Sequence, residues 1–288
     1  MAPAHIENVS DTARWVALYR AMESERPDAH FRDPWARRLA GERGEAIARS
    51  LPGFRSGLWP MVVRTCVFDE VLLRLVEREG ADTVVNLASG LDVRPWRLGL
   101  PSSLAWYDVD LPGILAYKAE ALAAQRPACR LESVATDLTQ EAARRELFAR
   151  IGRDSRRALV LSEGLLAYLS DEDVSALAAG LHAVPSFRWW LIDLVSPRLL
   201  RMLNRKWGAP LEAARAPLRF APAEGTRFFE RSGWKELEFH STLEEATRLN
   251  RKPPLAWLYR LLGRFASAAK QEELRRMGGM SLLGRIEG

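Results

Sequence analysis

The sequence holds only two cysteines, Cys66 and Cys129, too few for a disulfide framework and not at a metal-ligand spacing, which fits buried thiols in a reducing compartment. It has no run near the ~20 uninterrupted apolar residues of a membrane helix. Even Trp189 to Val195 is interrupted by Asp193. The first residues put Glu7 and Asp11 where a secretory peptide carries its basic and apolar regions, so neither export nor membrane association is expected, and the expected location is cytoplasmic. Charge of one sign is not concentrated either. The 42 Lys and Arg and 37 Asp and Glu sum to +5 and intermingle in segments such as Glu141 to Arg150, which reads as solvated helix faces rather than a nucleic-acid surface. Fixed-period repeats and low-complexity tracts are also missing, which excludes solenoids and propellers.

What is present is an ordinary globular composition, 48% hydrophobic and 27% charged over 288 residues, a length that suits one large core with a cap. Residues 1–80 read as an N-terminal helical cap, with helices over Thr12–Ser24, Pro34–Arg49 and Trp59–Glu79. From Ala81 onward, short apolar runs alternate with helical periods. Strands are predicted at Thr83–Leu87, Ala105–Val109, Arg130–Ala135, Ala158–Ser162 and Phe187–Val195, each followed by a helix, the last of these over Pro197–Arg205. This alternation predicts an α/β fold, a parallel Rossmann-like sheet with helices on both faces, occupying 81–288. A Pro/Ala/Gly-rich segment at 206–225 reads as a lid insertion, Trp234–His240 as a sixth strand, 243–276 as a helical insertion near the C-terminus, and Gly278–Ile286 as a last strand.

In such a sheet the ligand lies at the carboxyl ends of the strands, where strand order reverses. The first strand ends in Ala88, Ser89 and Gly90, small residues that let a ligand approach the backbone. The second ends in Asp110, twenty residues beyond Gly90, a spacing that suits a carboxylate accepting hydrogen bonds from ribose hydroxyls. A helix cap before Pro112 is the competing role. The third strand ends at Asp137 and Leu138, suited to an adenine edge and face or, for Asp137, to capping the next helix. The fourth ends in Glu163 between two apolar runs, a carboxylate that calls for a cationic or donor partner.

These fragments, in this order, resemble the leucine carboxyl methyltransferase-like family of class I S-adenosylmethionine-dependent methyltransferases, in particular its bacterial polyketide-synthesis O-methyltransferase branch. The resemblance rests on Thr12-Ala13-Arg14, Tyr19-Arg20-Ala21, Arg32-Asp33-Pro34-Trp35-Ala36, Arg64-Thr65, Val67-Phe68-Asp69, Asn86 to Pro95, Asp108 to Pro112, Thr136-Asp137-Leu138 and Ser162 to Leu169. It implies that Arg64 holds the carboxylate of the cofactor's methionine part and that Ala88, Ser89 and Gly90 approach the methionyl chain. It further implies that Asp110, beside Leu111, holds the ribose, that Asp137 and Leu138 bracket the adenine, and that Glu163 with Gly164 contacts the amino-acid end. Tyr168 is the residue expected to orient the acceptor. Ala88 departs from the family's more usual glycine, a change that narrows the cofactor's approach.

The implied function is O-methylation of a hydroxyl, enol or carboxyl oxygen of a small natural product by in-line transfer, with S-adenosylhomocysteine as the product and no metal. The alternatives are methylation of a protein C-terminal carboxylate, or a scaffold or cyclase that binds the cofactor without methylating. No histidine among His5, His30, His182 and His240 stands where a catalytic base is expected. Trp15, Tyr19, Trp59 and Trp207, drawn from a chain with ten tryptophans, are candidates to close over an apolar acceptor.

Overall fold

A computed structural model of the chain describes residues 9–51, 53–251 and 267–286. Seven strands form one sheet: β1 (Thr83–Leu87), β2 (Ala105–Asp110), β3 (Arg130–Ala135), β4 (Ala158–Ser162), β5 (Phe187–Val195), β6 (Trp234–Ser241) and β7 (Gly278–Arg285). Their spatial order is β3-β2-β1-β4-β5-β7-β6. The first five are parallel, and β7 inserts antiparallel between β5 and β6. Successive connections from β1 run outward to β2 and β3, then return to β4 on the other side. The crevice for a ligand therefore opens at the carboxyl ends of β1 and β4.

Strand alternation sends neighbouring residues to opposite faces. Val84, Trp106, Leu159, Leu161, Trp189 and Leu191 pack with helix α3 (Leu58–Arg78) in one buried cluster. Val85, Val109, Val160, Trp190 and Ile192 pack on the other face with Leu147 and Phe148 of α6 (Glu141–Asp154) and Val174 and Leu177 of α7 (Asp171–His182). A capping box at Ser170 and Asp173 starts α7. Pro112 opens α5 (Pro112–Ala121) at its first turn, where a missing N–H costs nothing.

A third cluster covers the strand ends. There α1 (Val9–Ser24) and α2 (Ala36–Ser50) join α5 and α8 (Pro197–Ala213) through Trp15, Tyr19, Leu39, Ile114, Trp207 and Leu211. The remaining helices are α4 (Arg94–Arg97), α9 (Thr242–Arg248) and α10 (Ala268–Arg275). Among the described residues, no helix is long and apolar enough to cross a membrane.

The five parallel strands fall where the alternation of the sequence puts them, and the last strand lies where expected, with Gly278 and Gly279 as its first residues. One boundary needs correction. Helix α8 does not stop near Arg205 but continues through Pro210 to Ala213, so the segment 206–225 begins as helix rather than as an irregular lid. An interior proline costs a helix ~3 kcal/mol, but Trp207 and Leu211, on either side of it, are buried against α1. Burial of those side chains offsets the local penalty. Of the helical stretch expected over 243–276, α9 and α10 are its ends, and 252–266 lies outside the described residues.

Candidate functional site

A cavity of about 730 Å³ sits over the carboxyl ends of β1 to β5, roofed by α1, the start of α3 and α8. Arg64, Ala88, Ser89, Gly90, Asp110, Leu111, Asp137, Leu138, Glu163, Gly164 and Tyr168 all line it. The eleven positions proposed from the sequence thus face one cavity, although they span more than a hundred residues of chain.

The turn after β1 is held by the strand beside it. The Gly90 N–H donates to Asp110 Oδ2 at 2.6 Å and the Leu111 N–H to Oδ1 at 2.7 Å. Asp110 does not cap α5, whose N-cap is Leu111 with no side-chain bond. Its carboxylate instead fastens the turn to the strand end. Burial raises its pKa, and the two N–H donors offset only part of that. Both Ala88 and Gly90 have φ of +51°. Glycine takes this conformation freely, whereas alanine pays ~1–2 kcal/mol.

Beneath the turn lies a buried ion pair. Lys118 Nζ on α5 reaches Asp108 Oδ2 at 2.8 Å and the Ser89 hydroxyl at 3.2 Å. Asp108 also accepts from Trp106 Nε1 at 2.8 Å and Asn86 Nδ2 at 3.2 Å. Asp108 is wholly buried and Lys118 nearly so, so each satisfies the other's charge where water cannot. The turn is thereby anchored from below as well as from the side.

Arg64, on α3, is the hub at the ends of β4 and β5. Its Nε donates to Glu163 Oε1 at 3.1 Å and its Nη1 to Asp193 Oδ2 at 2.9 Å. Asp193 Oδ1 accepts the Gly164 N–H at 2.7 Å. Glu163 Oε2 lies 2.8 Å from Arg94 Nη1, and Arg94 is further paired with Asp69 and Asp92. Burial opposes the charge on Arg64, yet Asp193 and Glu163 outweigh it and hold its pKa above the ordinary value. Burial likewise pushes Glu163 up, and Arg94 and Arg64 more than reverse the push, leaving it below the usual carboxylate range. The Nη2 edge of Arg64 has no acceptor among the described residues, which leaves one face of the guanidinium for a ligand carboxylate.

A side chain at position 164 would meet Arg64 Nη1 at 3.0 Å, on a backbone with φ of +69°, so glycine there keeps the guanidinium close to the strand end. Asp137 stays on the rim, exposed, accepting from the Thr139 N–H at 2.9 Å and hydroxyl at 2.7 Å. These bonds lower its pKa. The N-cap of α6 is Gln140, so Asp137 braces the turn before the helix rather than capping it. Leu138 is partly buried against the core below.

Opposite the charged rim the cavity is apolar. Trp15 meets Trp207 edge-on at 5.1 Å and Tyr19 stacks on Phe54 at 4.4 Å. Trp15, Tyr19, Trp59 and Trp207 all line the space, as their number in the sequence suggested. Tyr168 stands between the two halves. Burial raises its pKa, and a hydrogen bond with the Thr12 hydroxyl of α1 offsets this in part, so its phenol keeps its proton at neutral pH.

Three groups escaped the sequence reading. Asp193 read there as an interruption of an apolar strand, although an acid inside such a run, like Glu163, signals a buried partner. Arg94 and Asp92 are two residues apart in the turn and both belong to the Glu163 network, Arg94 buried and Asp92 partly so. Lys118 is one lysine on a helix with no apolar periodicity to mark its inward face, and only the folded position of Asp108 reveals it.

The family model described as leucine carboxyl methyltransferase matches residues 13–182. A relative in Parafrankia sp. (strain EAN1pec), provisionally named S-adenosyl-L-methionine-dependent methyltransferase, is 38% identical over 59% of this chain and 57% of its own length. One of the same name in Saccharopolyspora erythraea is 33% identical over 72% of this chain and 77% of its own. For the first, the match thus spans less than two thirds of the relative. The crystal structure of a DUF574 family protein from Streptomyces avermitilis shares the fold, with a TM-score of 0.58 at 15% identity over 95% of this chain and 97% of that one. The chain belongs to the leucine carboxyl methyltransferase family and has the α/β fold of class I methyltransferases.

Proposed function

We propose that this family member is an S-adenosylmethionine-dependent O-methyltransferase acting on a hydroxyl, enol or carboxyl oxygen of a small apolar acceptor such as a polyketide. The observation that carries the proposal is the division of one cavity into a rim of carboxylates around the open edge of the Arg64 guanidinium and an aromatic chamber facing it. S-adenosylmethionine, when bound, supplies a methyl group on a sulfonium, open to in-line attack by an oxygen. Its carboxylate, ammonium and ribose hydroxyls match the donor set: Arg64 for the carboxylate, Glu163 and Asp193 for the ammonium, Asp110 for the hydroxyls, with Asp137 and Leu138 at the adenine.

The chain's own contribution is alignment and water exclusion. Tyr168, protonated, donates a hydrogen bond that orients the acceptor oxygen beside the rim. Trp15, Trp59 and Trp207 close the apolar side. The carboxylates that line the cavity are engaged already: Asp92, Glu163 and Asp193 by arginines, Asp110 by two backbone N–H groups and Asp137 by Thr139. None of His30, His182 and His240 lines it. An acceptor oxygen that is ionised before it enters, a carboxylate or acidic enol, suits such a site better than an alcohol, which needs a base. The family's name points the same way.

Calorimetric titration of S-adenosylhomocysteine tests the proposal. One site per chain is expected, with Arg64→Ala and Asp110→Ala each weakening it about tenfold or more, ~1.4 kcal/mol. A folded parent chain that binds none overturns it. Release of S-adenosylhomocysteine with carboxylic acid acceptors then separates a transferase from a protein that only binds the cofactor, the reading that the strained Ala88 favours.

A further inference from the structure

Six basic side chains line the cavity: Arg20, Arg64, Arg94, Arg97, Lys206 and Arg215. The first four are each paired with a carboxylate. Lys206 and Arg215 have no carboxylate partner among the described residues. Lys206 Nζ is instead fixed by neutral acceptors, the Gly53 carbonyl at 3.3 Å and the Ser56 hydroxyl, and lies 4.6 Å from the centre of the Trp207 ring. Its charge is positioned but not neutralised.

Both side chains are exposed where they border the cavity, so their charges are open to a ligand that enters it. Leu199, Met202, Leu203, Lys206, Trp207 and Leu211 recur at helical spacing on α8 and all line the cavity, so Lys206 interrupts an otherwise apolar stripe. Arg215 follows the C-terminus of α8 with φ of +54°, a position where glycine is the unstrained residue. The carboxylates lining the cavity, Asp92, Asp110, Asp137, Glu163 and Asp193, come from strand ends and the turns beside them, and none comes from this wall.

We infer that Lys206 and Arg215 form a subsite for an anionic group on the acceptor, a carboxylate, sulfonate or phosphate, that is distinct from the oxygen receiving the methyl group and stays charged throughout. A cation on the reacting oxygen would draw off the electron pair that must attack, so the two oxygens sit apart. The body between them is aromatic or otherwise apolar, matching Trp15, Trp59 and Trp207. The inference rests on the methyltransferase reading above and narrows its substrate class.

Two fluorescent probes of nearly the same aromatic shape test it: 8-anilinonaphthalene-1-sulfonate, which is anionic, and N-phenyl-1-naphthylamine, which is neutral. Both are titrated into the full chain with and without S-adenosylhomocysteine, beside Lys206→Met, which keeps an apolar stem, Arg215→Gly, which suits the backbone, and the double variant. The double variant is expected to bind the sulfonate about tenfold more weakly, the loss of a charge-assisted contact, while the neutral probe changes by less than about twofold. Added salt weakens the sulfonate alone. Equal losses for both probes, or none for either, overturn the subsite. Failure of the parent chain to bind S-adenosylhomocysteine overturns the methyltransferase reading instead, and the contrast between the probes still reports on Lys206 and Arg215.

Discussion

The rim and the helical wall of the cavity are ordered by different forces. At the rim, the buried Arg64 and Arg94 and the partly buried Glu163, Asp193 and Asp92 form a chain of charges in which each group is satisfied by its neighbours. Removing one leaves another uncompensated in a low dielectric, so the arrangement has essentially one solution. On the wall, Trp15, Trp207 and Leu203 are held by apolar contact, which tolerates changes of shape at modest cost. A cofactor of fixed structure suits the first kind of surface. A variable acceptor suits the second.

The contrast breaks most directly at Lys118. Lys118→Met leaves Asp108 buried without its cation and is expected to cost about 3–5 kcal/mol in urea unfolding. S-adenosylhomocysteine binding should weaken with it, because Ser89 loses a partner. A loss below ~1 kcal/mol would show that the rim is not the rigid half.

Acid provides a second probe. Burial favours the neutral form of Asp92, but Arg94 and Arg97 prevail and hold its pKa at about 2, below the ordinary value of 3.8. In that interval the unfolded chain binds the proton more readily than the folded one, so the stabilisation is complete above about pH 4 and fades as pH falls to about 2. Relative to Asp92→Asn, the parent should lose ~2 kcal/mol across this window in unfolding at each pH. Parallel curves would mean that Asp92 is not held by its arginines.

Smaller changes sharpen the comparison. Ala88→Gly relieves the positive φ and should stabilise by ~1 kcal/mol, raising Tm by about 2–4 °C, with cofactor binding unchanged or tighter. Unfolding at a lower temperature would show that the alanine methyl is a needed contact. Met202→Ala, at a residue half exposed on the wall, should alter stability by less than ~0.5 kcal/mol and leave S-adenosylhomocysteine binding alone. The affinity of the neutral naphthylamine probe should fall, and a parallel fall in cofactor binding would merge the two halves into one.

Much of the rim was legible in the sequence because strand ends are written locally. An apolar run closed by Ala88-Ser89-Gly90, Asp110, Asp137 or Glu163 announces both the strand and what it delivers. Less could be read of the partners. Glu163 called for a cation without naming it, and the one that meets it, Arg64, which resemblance had assigned to the cofactor's carboxylate, lies ninety-nine residues earlier, while Asp193 is a further partner, 129 residues from Arg64. The run of α8 through Pro210 was hidden for the same reason, since the burial that outweighs the proline is supplied by α1.

Composition and alternation by themselves determined the class of fold, the position of the five parallel strands and the edge of the sheet at which small and acidic residues collect. Those are properties of backbone preference and side-chain period, set within about ten residues of chain. The tertiary structure decided which charges meet, which arginine edge stays open and which cations on α8 and after it go unpaired. Ion pairing depends on separation in space and on exclusion of water, and both arise only when distant segments close over the same cavity.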